Sequence, residues 1–309
     1  MVPTVSVVHT EDFSEEGLRN ATFDAIDKTG FKLPKGINSA MLKVNLRYYW
    51  DSSTGETTDP RIASAVIDYI RDRGGDEIDI TVGEADASAM RTKYAFRMLG
   101  YTKLAQEKSV KLLNLCECER VEKEVVVNNR KFTLPVAKPM LDTDLLINVP
   151  KLRTHRLTNV TCGLKNMFGA IAVPRKIVYH PNLNEVIVGI NKLVKPHLTV
   201  VDGVVALGKN PIRMGLVLAS EDQLAVDVIA ARVMGYNPQR IRHMTLARKE
   251  GVGYSENIKI EGVSDITKFS KTFPKENYFI FNLLWDLKLA ALGAYLRLTK
   301  DTRPPVLDT

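Results

Sequence analysis

The sequence predicts an α/β protein: a mainly parallel, Rossmann-like sheet with flanking helices and a small antiparallel insertion. Three observations predict it. Short β-branched runs alternate with amphipathic helical patterns along most of the chain, the rhythm of βαβ units. That rhythm breaks over residues 111–134, where short strands follow one another with no helix between them. The 309 residues also exceed what a single core usually fills, so one large domain with an appendage, or two intimate subdomains, bound the architecture.

In chain order, residues 4–9 read as a strand, 15–29 as an amphipathic helix and 40–46 as a second strand. A helix over 60–73 opens with proline, whose fixed φ suits a first turn, and stops at Gly74-Gly75. A strand over 77–82 with one apolar face precedes a helix over 88–99 that Gly100 ends. Within the insertion, Asn128-Asn129 marks a hairpin turn, because asparagine tolerates positive φ. A strand over 144–149 restores the parallel rhythm, followed by a helix over 183–194 and strands over 198–201 and 216–219. The next helix, 221–234, begins with Ser220 and Gln223 at capping-box spacing, and Glu221 and Asp222 suit the positive end of its dipole. A last helix covers 239–249. Residues 1–275 are therefore assigned to the α/β domain and 276–309 to a C-terminal apolar helix and tail.

Hydrophobic residues at 45% and charged residues at 26% exclude a disordered or fibrous chain. A net charge of +7 would suit nucleic acid only as a basic stripe with exposed aromatics. Here Lys and Arg are nearly balanced by Asp and Glu outside one segment, which disfavours nucleic acid as a partner. Cys116, Cys118 and Cys162 show no regular pairing, so reduced thiols in a cytoplasm are expected. Cys116 and Cys118 would share one face of a strand, but no fourth ligand follows at zinc or iron–sulfur spacing. The first residues lack a basic region followed by a long apolar run, so no signal peptide is expected. Residues 278–298 are very apolar, yet Asp286 and Lys288 leave no uncharged run near the ~20 residues of a membrane span. A buried, docking or interfacial helix is the reading there, and the expected localisation is cytoplasmic with no transmembrane segment.

Residues 145–184 contain no Asp or Glu but hold Lys151, Arg153, Arg156, Lys165, Arg175 and Lys176, with His155 and His180 beside them. Cations interleaved with Thr, Asn and Gly can hold a carboxylate or phosphate through charge-assisted hydrogen bonds and backbone N–H groups. The cluster starts directly after a buried strand, and ligands of open α/β sheets gather outside the carboxyl ends of strands. Lys151, Arg153, Thr154, Arg156, Thr161 and Asn166 are therefore candidate substrate-binding residues. His155 is a candidate for proton transfer, because neighbouring cations lower its pKa and leave it neutral. Lys165 can pair with an anion or act as a base if desolvated among arginines. The plain alternatives are a solvated basic loop and a structural histidine; the apolar runs 145–147 and 167–171, which anchor the loop at both ends, favour a site.

A second segment, residues 203–210, nearly matches P-loop spacing, with Gly203, Gly208 and Lys209. Asn210 stands where the magnesium-binding Ser or Thr belongs and Pro211 removes a donor, so an ordinary glycine-rich loop is expected, with Gly203 lining the site. Glu84, Asp202 and Asp227 are the candidate metal ligands or orienting carboxylates, each near a strand end or helix start. Asp222 has a simpler role at a helix terminus.

Together these segments resemble the DUF362 family. The likeness is carried by Asn148-Val-Pro-Lys-Leu-Arg-Thr-His155, Thr161-Cys-Gly-Leu-Lys-Asn-Met-Phe-Gly169, Val201-Asp-Gly203, and Asp222-Gln-Leu-Ala-Val-Asp227 with Met234-Gly235. It covers roughly residues 40–255, and Glu84, Thr92 and Gly100-Tyr101 fit its N-terminal part. Family biochemistry is largely unassigned, and many members resemble proteins with an appended ferredoxin-type 4Fe-4S module. This chain lacks the closely spaced cysteines for one, and Lys209-Asn210-Pro211 replaces an expected Gly-x-Gly-Pro pattern. The fold is also similar, more distantly, to the N-terminal domain of nickel-pincer lactate racemases.

Two functional classes follow. The first is an enzyme on a small anionic metabolite with His/Lys acid–base chemistry, for which the sequence names no cofactor. The second is a non-catalytic redox or assembly partner that docks on an iron–sulfur protein through the basic segment.

Overall fold

The computed structural model describes residues 2–87, 89–276, 278, 283, 284, 287, 290 and 291. The expected C-terminal helix lies largely outside them.

β1 (Thr4–His9) is followed by α1 (Glu15–Asp27), whose first turn is capped by the Ser14 hydroxyl accepting the Gly17 N–H. β2 (Ser39–Val44) leads to α2 (Pro60–Gly74), capped by Asp59 with Pro60 in the first turn. After β3 (Asp79–Glu84) come two short helices where the sequence predicted one: α3 (Thr92–Met98) and α4 (Tyr101–Glu107). The Asp86 carboxylate accepts the Thr92 N–H and delays the first, while Gly100 at φ 84° restarts the helix in a new direction. Ser88 lies outside the described residues.

β4 (Lys111–Asn114) joins the main sheet, so the antiparallel insertion is only the hairpin β5 (Arg120–Val127) and β6 (Arg130–Ala137). Asn128 and Asn129 turn it at φ 51° and 60°, the left-handed pair such a turn requires. The chain continues through α5 (Pro139–Asp142), β7 (Leu145–Val149), β8 (Lys151–His155), β9 (Asn159–Thr161) and α6 (Gly163–Asn166). Two 3-10 segments, Met167–Ala170 and Lys176–Asn182, lead into α7 (Leu183–Leu193). β10 (Leu198–Leu207) and β11 (Pro211–Ser220), α8 (Gln223–Val233), α9 (Arg242–Lys249), β12 (Lys259–Gly262) and α10 (Thr267–Thr272) complete it.

Three local expectations are corrected. The basic loop expected after β7 is instead β8, β9 and α6, because its backbone pairs with β10 and with itself. Residues 203–207 are strand rather than loop: β10 and β11 form a long hairpin, and a Cβ at Gly203 would lie 2.9 Å from the Leu216 carbonyl oxygen. The α8 cap is Asp222, whose carboxylate accepts the Ala225 N–H at 2.8 Å, and not Ser220.

The main sheet runs β12-β1-β11-β10-β7-β2-β3-β4, and along this path β11 alone opposes the other strands. β8 continues from β7 past Pro150, pairs parallel with the second half of β10, and is flanked by β9. Every residue of β7 is buried, as both-face coverage by helices demands. The period of two sorts β2 cleanly: Met41 belongs to the core on one side of the sheet, with Leu164 and Ile187, and Ala40, Leu42 and Val44 belong to the core on the other, with the buried residues of α1 and α2. β3 lies on one side of β2 while β10 lies on the far side of β7, so strand order reverses between β2 and β7. A crevice at such a switch point is where ligands of open α/β sheets bind.

Candidate functional site

The switch point is filled by α6. Asn166 donates to the Lys43 carbonyl at 3.1 Å, at the end of β2, and to Asn148 Oδ1 at 2.7 Å, at the end of β7. Its own oxygen accepts from Asn45 Nδ2 at 3.2 Å and from Lys43 Nζ at 3.4 Å. The remaining polar groups of α6 are latched from behind. Asp227 accepts the Gly163 and Leu164 N–H groups at 2.6 and 3.0 Å, Asn148 donates to the Gly163 carbonyl, and Asn191 donates to that of Leu164. Gln223 joins this buried amide network by accepting from Asn148 and donating to Asn191. A four-residue helix with its donors and acceptors so engaged is a rigid mount.

Lys165, next to Asn166 on that mount, is half-buried, and among the described residues it donates no hydrogen bond and meets no carboxylate; its ammonium lies 4.5 Å from the centre of the Phe168 ring. Burial first, then Arg153, Lys176, Lys43 and Arg47, bring its pKa down to about 7. These cations come from different elements. Arg47 follows β2, Arg153 lies on β8, and Lys176 opens a 3-10 segment with its amine 3.0 Å from the Asp86 carbonyl. Arg153 is itself lowered to about 10 by burial and by Arg47.

Carboxylates answer this charge only in part. Glu56 binds Arg47 at 2.7 and 3.1 Å and lies 3.6 Å from Arg153. Glu84 pairs with the fully buried Lys43 at 2.7 Å and accepts the Leu46 and Ala85 N–H groups. A Cβ at Gly169 would overlap Lys43 Cε, so glycine lets the chain pass over this pair.

His155 ends β8. Its Nδ1 faces the Leu157 N–H at 3.3 Å and the Thr158 hydroxyl at 3.0 Å, which places the ring proton on Nε2. Burial, then Lys165 and Arg153, hold its pKa well below the usual range, so the ring is neutral. His180, lowered to about 4 by burial and Lys165, belongs to the same cluster. Thr154 contacts the Tyr278 hydroxyl at 3.2 Å, which brings the chain beyond α10 over β8.

Other expected residues sit apart. Lys151 is fully buried against Asp202 at 2.7 Å, and Asp202 also accepts the Asp59 and Val204 N–H groups. Thr161 is buried opposite Arg153 in the β8–β9 ladder, Arg156 is exposed, and Gly203 lies inside the β10–β11 hairpin. Glu84, Asp202 and Asp227 each face a different partner: Lys43, Lys151, and the Gly163 and Leu164 N–H groups. Among the described residues no group of three or more His, Cys, Asp or Glu is placed to hold a metal ion. Cys116 and Cys118 lie in a turn after β4, not on a strand, and Cys162 is buried beside Asp227. The donor set of a 4Fe-4S cluster does not assemble from them.

Residues 41–232 match the DUF362 family, described as a domain of unknown function. The chain belongs to the DUF362 family. It is 25% identical over 268 residues to a thylakoid-associated protein of Synechocystis sp., covering 82% of this chain and 80% of that one. Among solved structures it is similar to the lactate racemase apoprotein of Thermoanaerobacterium thermosaccharolyticum, with a TM-score of 0.46 and 12% identity over 75% of this chain; it spans 57% of that protein. No helix among the described residues is long and apolar enough to cross a membrane.

Sequence reasoning missed Lys43, Asn45, Glu56 and Asn191. Lys43 had a signal: a lone charge inside an apolar strand needs a buried partner. It also missed His243 on α9, fully buried, with neither ring nitrogen hydrogen-bonded among the described residues, and lowered to about 3 by burial and Lys165.

Proposed function

We propose that this DUF362 protein is a cytoplasmic enzyme that binds a small metabolite through its carboxylate or phosphate and moves a proton with Lys165. The observation that carries the reading is Lys165 itself, a half-buried amine that meets no carboxylate among the described residues and feels the charges of Arg153, Lys176 and Arg47. Such an arrangement costs the empty protein stability, and an arriving anion offsets that cost. A neutral amine near pH 7 can take a proton from the substrate, and the bound negative charge would stabilise the resulting ammonium. His155, with its N–H on Nε2, serves as a neutral donor that orients the anion. Burial of Arg153 and Lys43 supports a small ligand over an iron–sulfur protein docked on a flat basic face.

The test is native mass spectrometry on protein purified without oxygen, followed by titration with inorganic phosphate and with short carboxylates. The wild type should carry or take up one anion, and Lys165→Met and Arg153→Gln should lose it. Equal anion uptake by all three proteins, or none by the wild type at millimolar ligand, refutes the proposal.

A further inference from the structure

Three segments around the site expose large apolar side chains next to cations. The loop after β2 shows Tyr48, Tyr49 and Trp50, with Trp50 56% exposed. The outer side of α3 shows Tyr94 at 54% and Met98 at 64%, alternating with exposed Lys93 and Arg97. The 3-10 segment Lys176–Asn182 shows Ile177 and Val178, the latter 57% exposed. Seven exposed large hydrophobic side chains on three short segments are more than the single scattered ones a surface normally carries.

Hydrogen bonds hold the three together. The Tyr49 hydroxyl accepts the Arg91 N–H at 3.1 Å, directly before α3. Arg91 pairs with Asp86 at 3.0 Å, and the Asp86 carbonyl accepts from Lys176, which precedes Ile177. Residues 87–106 contain Arg91, Lys93, Arg97 and Lys103 and no Asp or Glu. The surface is thus aromatic and apolar, with exposed cations at Lys93 and Arg97 and one exposed carboxylate, Asp51, beside Trp50.

We infer that this face, made by the Tyr48-Tyr49-Trp50 loop, the outer side of α3 and Ile177-Val178, docks the protein on an anionic lipid bilayer. Tyr and Trp settle at the headgroup level, where their apolar bodies and polar tips are both satisfied. Lys93 and Arg97 lie one turn apart beside Tyr94 and Met98, so their stems can run along apolar surface while the charges meet lipid phosphates. Charge decides the occupant, because an apolar patch carrying Lys93 and Arg97 against a single exposed carboxylate, Asp51, fits an anionic bilayer better than a neutral one. The inference goes beyond the proton chemistry proposed for Lys165 and does not depend on it.

The test is co-sedimentation of the full chain with phosphatidylcholine vesicles and with vesicles that also contain phosphatidylglycerol. A Trp285→Phe background leaves Trp50 as the sole tryptophan reporter. Binding is expected only to the anionic vesicles, with Trp50 emission shifted to the blue and quenched by brominated lipid. Lys93→Gln with Arg97→Gln should weaken partitioning about thirtyfold, the equivalent of about 2 kcal/mol. Trp50→Ser with Tyr94→Ser and Met98→Ser should abolish the binding while far-ultraviolet circular dichroism stays unchanged. Full vesicle binding by that triple variant, equal binding to neutral vesicles, or salt-sensitive capture by an acidic ferredoxin without vesicle binding overturns the inference. Because phosphate uptake by Lys165 is read separately, either idea can fail alone.

Discussion

Replacing Lys165 by methionine should stabilise the protein and silence its site. Methionine keeps the length and apolar body of the side chain and removes only the charge. Burial and the neighbouring cations push the Lys165 ammonium down to about 7 from an ordinary 10.5. At ~1.4 kcal/mol per pH unit that gap caps the cost of the ammonium at about 5 kcal/mol, and solvent screening of a half-buried group leaves about 1–3 kcal/mol to be recovered. The sign follows from proton counting. Below about pH 7 both folded and unfolded states hold the proton, so the wild type bears the full cost. Between about pH 7 and 10.5 the unfolded chain holds more protons, so wild-type stability climbs until the cost is gone. The advantage of Lys165→Met is therefore largest near pH 6 and vanishes near pH 10.5. Urea unfolding at about pH 6, 8 and 10 measures it, with phosphate titration of the same samples. A variant less stable than the wild type at pH 6, or a difference that does not change with pH, would show that Lys165 is an ordinary structural lysine.

Three further outcomes are expected. Lys151→Met leaves the fully buried Asp202 carboxylate without its partner and should cost about 3–5 kcal/mol in urea unfolding, part of which Lys151→Met with Asp202→Asn should restore. Burial raises Asp227 to about 7, so the folded state holds its proton more tightly and this group's contribution to stability should fall as pH rises from about 4 to about 7. Asp227→Asn should flatten that dependence, whereas Asp227→Ala, which orphans the Gly163 and Leu164 N–H groups, should lose about 1–3 kcal/mol. Gly169→Ala should push Lys43 from Glu84, lowering stability by about 1–3 kcal/mol and weakening phosphate uptake as the α6 mount shifts.

Strand and helix patterns, the Asn128-Asn129 turn and the basic segment after β7 were all legible in the sequence, because each follows from local rules: a period of two or 3.6, a φ preference, a run of like charge. Lys165 and Asn166 could be singled out for the same reason, as neighbours in an acid-free stretch. Their division of labour could not. Asn166 spends its amide on Lys43, Asn45 and Asn148, while Lys165 meets no carboxylate among the described residues, and that difference depends on which strands lie beside each other. Lys151 and Arg153 show the same limit: two residues apart in one strand, the first is sealed against Asp202 and the second faces the cation cluster. The sequence by itself determined most of the long strands and helices and where positive charge accumulates along the chain, but not the short elements β8, β9 and α6 that shape the site. Only the tertiary structure decided which cations are neutralised, because burial and partner distance, not residue type, set the cost of a charge.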